Sequence, residues 1–490
     1  MSKNIIQSSS LKSKTVSGVG WSAADSFLGQ GVSFLVGLVL ARLLSPSEYG
    51  LVGIITIFTT ILSGFVDCGF SNSLIRKKDA SNDDYNTMFI VNLAMSMVMY
   101  ALLFVSAPWI AKFFEREELT LLTRVTGLIL IIQALSIVQN TILTKRIDFK
   151  TKAKASFIAA VSSGIIGISM AYNGFGVWSL VAQMIANQLF STLCLWIFNK
   201  WLPYFRFNSD SFVYMWGFGW KMMLSGFLDR TWAQLYQTVV GKCYTPETLG
   251  QYTRAKLFAR IFSQNFTSII QRVTYPALSA IQDDKQRLKE GYRKIIKLSM
   301  FVTIVCMFSL GAVSEPLIYC MIGEQWQQAS TFLPLICITM SMYPLQAINL
   351  NMLQVQGRSD LFLMLEIIKK IIGIGPLCLG IFIDIYWMLA GSIVTCIIAF
   401  FLNSHWSGKF IGYSSCQQLK DIAPSYGIAS LIVVSVYFLK FVPLTYWIIL
   451  PLQVAVGIGV FFFICNIFKI QEYQEIKEIV LTYYPKIKRK

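Results

Sequence analysis

Stretches of chain long and apolar enough to cross a bilayer recur from one end of this sequence to the other, and nothing else about it constrains the fold as strongly. A hydrocarbon core of about 30 Å takes about 20 apolar residues of helix. Such runs lie near 18–44, 49–70, 87–111, 119–143, 154–173 and 176–199, then near 212–241, 250–278, 294–321 and 328–354. The last four lie near 361–383, 385–403, 423–441 and 444–468. Only 14% of the residues are charged, against roughly 25% in a soluble domain, which is too little polar surface to face water. The expectation is an all-α polytopic membrane protein with about 14 transmembrane helices. The first run is too long for the apolar part of a secretory signal and no small-residue cleavage pattern follows it, so it is expected to stay as the first span.

The connections between runs carry a charge asymmetry that fixes sidedness. With a cytoplasmic N-terminus, the positive-inside rule asks for Lys and Arg in alternate loops. One set of loops holds Arg76, Lys77 and Lys78, then Lys145, Arg146, Lys150, Lys152 and Lys154, then Lys200 and Arg206. The same side continues with Lys285, Arg287, Lys289, Arg293 and Lys294, then Arg358, Lys409 and Lys420, and the C-terminal tail. The opposite side offers little beyond Arg42, Lys112, Arg116, Lys242 and Lys440. Both termini are therefore expected in the cytoplasm. The formal charge of +17 is spread over these loops rather than gathered on a soluble patch, so nucleic acid is not an expected partner. The basic tail, Lys486 to Lys490, is placed to meet anionic membrane lipids.

No cofactor or metal is called for. Cys194, Cys306, Cys337, Cys378, Cys396 and Cys465 lie inside apolar runs, no C-x-x-C pair occurs, and His405 is the only histidine. The cysteines read as small packing residues rather than as a disulfide or zinc framework.

The first and seventh runs share a pattern. Gly18-Val-Gly-Trp21 opens the first and Gly217-Phe-Gly-Trp220 the seventh. The first closes on Arg42-Leu-Leu-Ser-Pro-Ser-Glu-Tyr-Gly50, the seventh on Lys242-Cys-Tyr-Thr-Pro-Glu-Thr-Leu-Gly250. Each places a proline where one helix must stop and a glycine four residues later. An offset of six spans makes this a parallel repeat, two halves related by an axis along the membrane normal.

The segment from Gly20-Trp21 to Leu43-Leu-Ser-Pro-Ser-Glu-Tyr-Gly50 resembles the opening of polysaccharide flippases. These are the Wzx and WzxC-like members of the multidrug/oligosaccharidyl-lipid/polysaccharide exporter superfamily. Asp67-Cys-Gly-Phe-Ser-Asn-Ser-Leu-Ile75 resembles the end of their second span, and Leu353-Gln-Val-Gln-Gly-Arg358 the close of their tenth. The resemblance implies a transporter that moves undecaprenyl-pyrophosphate-linked glycan repeat units, for lipopolysaccharide or exopolysaccharide, from the cytoplasmic to the periplasmic leaflet of the bacterial inner membrane. Its partners would be the polyprenyl-pyrophosphate-linked glycan, membrane lipids and the polysaccharide polymerase machinery. It also implies an organisation: a cytoplasmic segment over 1–17, an N-lobe over 18–206, a C-lobe over 207–403, two further spans over 404–468 and a basic tail over 469–490. The alternatives are an organic-cation antiporter of the same superfamily and, further off, a membrane glycan polymerase or ligase. No nucleotide loop, metal cluster or large extramembrane loop favours an enzyme.

Charges inside spans cost roughly 2.5–3.5 kcal/mol each on insertion scales, so they should face a cavity or a partner. Asp25 and Gln30 lie in the first run, Asp229 and Arg230 in mid-seventh. The eighth is the most polar, with Arg254, Lys256, Arg260 and Gln264. Lys256, Arg260 and Gln264 follow at four-residue spacing on one helix face, a stripe expected to line a cavity and attract a pyrophosphate. Arg254 and Lys256 alternatively snorkel to the interface. Glu366 and Lys370 have the spacing and order of a structural helix pair, with ion coupling as the other reading. Asp67, at a span end, is a local cap or a proton acceptor.

Overall fold

The computed structural model describes residues 29–77, 79–279, 281 and 283–478. Asp25, the Gly18–Trp21 motif, the segment over 1–17 and the Lys486–Lys490 stretch lie outside the described residues. Helices carry almost the whole fold, and among the described residues there is no strand. Two compact units are formed, one ending at Gly250 and the other beginning at Gln251.

In the first unit the helices are α1 (Gly29–Leu43), α2 (Pro46–Val66), α3 (Phe70–Arg76), α4 (Asn82–Phe114) and α5 (Leu119–Lys145). They continue with α6 (Phe149–Tyr172), α7 (Val177–Asn199) and α8 (Ser209–Cys243). Helix α9 (Pro246–Ser279) starts there and runs into the second unit. The second unit continues with α10 (Lys285–Ala312), α11 (Ser314–Ile322), α12 (Gln327–Ser341) and α13 (Tyr343–Val355). After them come α14 (Ser359–Ile372), α15 (Ile374–Phe382), α16 (Ile385–Ile411), α17 (Ser415–Phe438) and α18 (Tyr446–Ile467), with a further short helix over 471–478.

Ten stretches among the described residues are long and apolar enough to cross a membrane. The protein is a multi-pass membrane protein. Helices α8 and α9 are also long enough, at 35 and 34 residues, but are too polar to belong to that set. The stretch expected over 361–383 is helical in two pieces, α14 and α15.

Each half of the sequence repeat starts its second helix in the same way. One helix ends at Leu43 and the next begins at Pro46; in the other copy the ends fall at Cys243 and Pro246. Proline suits the first helical position because its missing N–H has no acceptor there anyway. Ser45 caps α2, its hydroxyl accepting from the Glu48 amide while Glu48 accepts from the Ser45 N–H. Thr245 does the same for α9, accepting from the Thr248 amide at 3.2 Å. The two glycines of the motif then meet the opposite copy. A methyl group at Gly50 would fall 1.8 Å from the Pro246 carbonyl oxygen, and one at Gly250 1.9 Å from that of Pro46. A side chain at either position would overlap backbone.

Three breaks interrupt helices of the second unit: Val313 between α10 and α11, Met342 between α12 and α13, and Gly373 between α14 and α15. A proline follows each within three residues: Pro316, Pro344 and Pro376. Proline lacks an N–H and its ring crowds the carbonyl four residues back, which here belongs to Ala312, Met340 and Ile372. The expected spans over 294–321, 328–354 and 361–383 are thus each divided near the middle or end. Proline alone is not sufficient, since Pro108, Pro334, Pro424 and Pro451 stay within unbroken helices.

Buried polar groups knit the second unit together. Tyr292 on α10 donates to the Asn349 side-chain oxygen at 2.7 Å. Asn349 on α13 donates to Gln418 on α17 at 3.1 Å, and Ser407 on α16 donates to Asn349. All four side chains are fully buried. Without water in a bilayer such groups must satisfy one another.

The helix over 471–478 is held to α10 by two ion pairs, Lys294 with Glu475 at 2.8 Å and Lys297 with Glu472 at 3.0 Å, and by Tyr473 and Ile476 against the core. Hydrogen bonding to Lys294 holds the Glu475 carboxyl below the usual glutamate range. A depressed carboxylate pKa stabilises the folded arrangement above the unfolded value, about 4.3, and that contribution disappears as pH falls through the lower folded value. Limited proteolysis should therefore release the tail more readily below pH ~4 than at neutrality. Glu475→Gln should remove most of that pH dependence.

Candidate functional site

The polar side chains that the apolar pattern singles out fall in three places. In the first unit, Arg230 projects from the middle of α8 and is exposed. Its Nη1 donates to the Ser63 hydroxyl of α2 at 2.7 Å and to the Thr60 carbonyl at 3.4 Å. The glycine at position 64 makes room, since a methyl group there would lie 3.1 Å from the Arg230 Cδ. Asp229 is exposed beside it. Charges in mid-span are costly against hydrocarbon unless they face water or a partner. Asp67, at the end of α2, turns inward: its carboxylate accepts from the Ser71 hydroxyl at 2.6 Å and the Ser71 amide at 3.2 Å. Ser71 also meets the Thr141 hydroxyl at 2.9 Å. Gln30 is exposed on α1.

In the second unit, α9 carries the cations. The Arg254 guanidinium lies 5.9 Å from the ring centre of the fully buried Trp326, and the Lys256 ammonium 5.6 Å from that of Tyr252. These aromatic faces partly balance the charge. Arg260, one turn beyond Lys256, is exposed, and Gln264 is half-buried. Glu247 is the only acid on this helix, against Arg254, Lys256, Arg260 and Arg272. Like charges at four-residue spacing repel, so Lys256 and Arg260 form a face whose repulsion an anion would relieve.

The third place is a cavity of about 570 Å³ within the second unit, formed by α13, α14 and α9. Its lining includes Gln271, Gln346, Asn351 and Gln354. Glu366 of α14 faces it as well, ion-paired with Lys369 and so with the residue preceding the partner expected from sequence. Lys370 is half-buried on the same helix. Sequence reasoning passed over this amide cluster. The signal was present: Tyr343, Ala347, Leu350 and Gln354 follow a helical period through an apolar run, with Gln346 and Asn351 beside them. Among the described residues no group of three or more potential metal ligands occurs.

With this geometry in hand, comparison with known proteins is informative. The polysaccharide biosynthesis protein family matches residues 39–331. The chain is 27% identical over 330 residues to the succinoglycan biosynthesis transport protein ExoT of Rhizobium meliloti (strain 1021), covering 67% of each chain. It is 21% identical over 373 residues to the lipopolysaccharide biosynthesis protein WzxC of Escherichia coli (strain K12), covering 76% of each. In fold it is similar to the lipid II flippase MurJ in an inward closed conformation, with a TM-score of 0.72 at 14% identity, over 94% of this chain and 99% of that one. The all-helical membrane fold and the resemblance to flippases read from the opening motif thus agree with these matches, and the chain belongs to the polysaccharide biosynthesis protein family.

Proposed function

We propose that this protein is a flippase that moves undecaprenyl-pyrophosphate-linked glycan units from the cytoplasmic to the periplasmic leaflet of the bacterial inner membrane by alternating access. On this reading the chain makes 14 crossings, as an N-lobe over 18–206, a C-lobe over 207–403 and two added spans over 404–468, with both termini cytoplasmic. The observation that carries it is the cationic face of α9, where Lys256 and an exposed Arg260 stand one turn apart on a helix whose only acid, Glu247, lies in its first turn. A pyrophosphate supplies the missing counter-charge, and a guanidinium binds it in bidentate fashion. The polyprenyl tail stays in lipid and needs no site of its own charge. Gln30, Asp229 and Arg230 line the polar path of the first half, and Arg254 and Gln264 extend that of the second. Transport breaks no covalent bond, so the protein is a carrier and not an enzyme; the polymerase that uses the flipped unit is its functional neighbour. An organic cation would meet like charge on α9, which disfavours the antiporter alternative.

The test is complementation of a deletion strain with leaflet-resolved detection of the lipid-linked glycan, at equal membrane abundance of each variant. Deletion should trap glycan in the cytoplasmic leaflet. Arg260→Ala should lower export by about tenfold or more, the worth of a charge-assisted hydrogen bond, and Arg260→Lys should recover part of it. An unchanged leaflet distribution on deletion would sink the flippase reading.

A further inference from the structure

We infer that the cavity between α13, α14 and α9 of the second unit receives an uncharged sugar of the lipid-linked glycan, a subsite distinct from the cations that meet the pyrophosphate; this rests on the flippase reading above. The cavity's size, about 570 Å³, is in the usual range for small-molecule sites. Its chemistry is that of hydroxyl recognition. Gln271, Gln346, Asn351 and Gln354 line it, and each amide both donates and accepts, as neighbouring sugar hydroxyls require. Tyr343 and Phe362 supply aromatic walls, which suit the C–H faces of a pyranose ring.

One observation points to a ligand rather than to internal packing. The Asn351 side chain is only 8% exposed, yet its Nδ2 has no hydrogen-bond partner among the described residues. A buried N–H left unpaired costs about 1–3 kcal/mol, and rotation of the Asn351 side chain toward the cavity it lines offers that N–H to a ligand hydroxyl. Gln346, by contrast, is anchored, its Nε2 donating to the Cys396 carbonyl at 3.3 Å and to the Cys396 sulfur at 3.0 Å, so one wall of the cavity is held in place.

The charge balance selects a neutral ligand. Glu366 and Lys369 both face the cavity and are paired with each other. Their fields cancel at short range, so neither a pyrophosphate nor a bare cation meets an uncompensated partner here. On α14, Phe362, Glu366 and Lys369 fall on one face at helical spacing. The ion pair therefore presents both a donor and an acceptor to the same ligand that the amides hold.

Binding to the purified full-length protein in lipid nanodiscs tests this, with two probes. One is the lipid-linked glycan pool extracted from the deletion strain; the other is bare undecaprenyl pyrophosphate. The variants are Gln354→Trp and Tyr343→Ala, both at exposed positions, with unfolding temperature as the check on folding. Wild type should prefer the glycan-bearing lipid by about tenfold or more, as hydroxyl-recognising sites do. Each variant should lose most of that preference and keep its affinity for the bare carrier. Equal loss for both probes, or no loss for either, overturns the subsite. So does a changed sodium dependence at unchanged glycan affinity, which would make the cavity a cation site. Failure of wild type to bind either probe would instead refute the flippase reading on which the subsite rests.

Discussion

Gly50→Ala should be among the most destabilising single substitutions in this protein, lowering stability by about 3 kcal/mol or more, at or beyond the top of the range for overpacked cores. The added methyl group would sit 1.8 Å from the Pro246 carbonyl oxygen and 2.4 Å from the carbonyl carbon. Neither atom can rotate away, because both belong to the backbone of a helix that starts at that proline. Relief requires the two repeat motifs to separate, with loss of the Gln237 hydrogen bond to the Gly53 carbonyl. Helix propensity works in the other direction but recovers only about 1 kcal/mol. Gly250→Ala should behave alike, since its methyl group meets the Pro46 carbonyl at 1.9 Å. Gly226 on α8 has open space around its Cβ position, so Gly226→Ala is the control and should be neutral or mildly stabilising. Thermal unfolding of the full chain in detergent separates the cases. If Gly50→Ala melts with Gly226→Ala, the close crossing is not present in the folded protein.

The second large effect concerns two buried asparagines that look alike in sequence and differ in their surroundings. Asn349→Leu should cost about 3–5 kcal/mol, because it removes the shortest hydrogen bonds of the buried Tyr292, Ser407 and Gln418 together and leaves them only contacts of 3.4–3.5 Å. Asn403 is as deeply buried, but neither of its side-chain polar atoms has a partner among the described residues. Asn403→Leu removes an unsatisfied amide and should be neutral or stabilising, since desolvation of that amide no longer has to be offset. Urea or thermal unfolding of the two variants reads the difference directly. Equal destabilisation by both would mean that simple shape, and not hydrogen bonding, governs this core.

Much of the fold was legible because the bilayer imposes a length. Most of each expected span is helical among its described residues, with breaks inside three of them, and the paired motif at Pro46 and Pro246 marked two equivalent helix starts before their caps were seen. What the sequence could not convey was rotation about each helix axis. Glu366 has basic neighbours at both three and four residues, and both spacings reach; only packing decided for Lys369. The amides at Gln346, Asn351 and Gln354 were passed over because attention went to formal charges, although an uncharged amide in a span also needs a partner. The charged stripe on α9 was readable because Lys256 and Arg260 share a face at any rotation. The prolines at 316, 344 and 376 were visible as well, but four others of the same kind are absorbed without a break, so the residue alone does not say where a helix will stop.

Those three interruptions give the two units different mechanical characters. In the first unit α4 to α8 run unbroken through 23 to 35 residues each; Pro108 in α4 leaves the Phe104 carbonyl without its ladder donor, but the Arg124 side chain donates to it instead. In the second, the joints at Val313, Met342 and Gly373 concentrate compliance at single residues, because a missing ladder bond is where a helix yields first. Strain applied to the second unit is taken up by changes of angle at these joints, while the first transmits it as a stiff body. An alternating-access cycle in such a molecule need not be a rocking of two rigid halves. On the transport reading proposed above, the jointed unit, which also holds the amide-lined cavity, closes around the glycan by flexing from within.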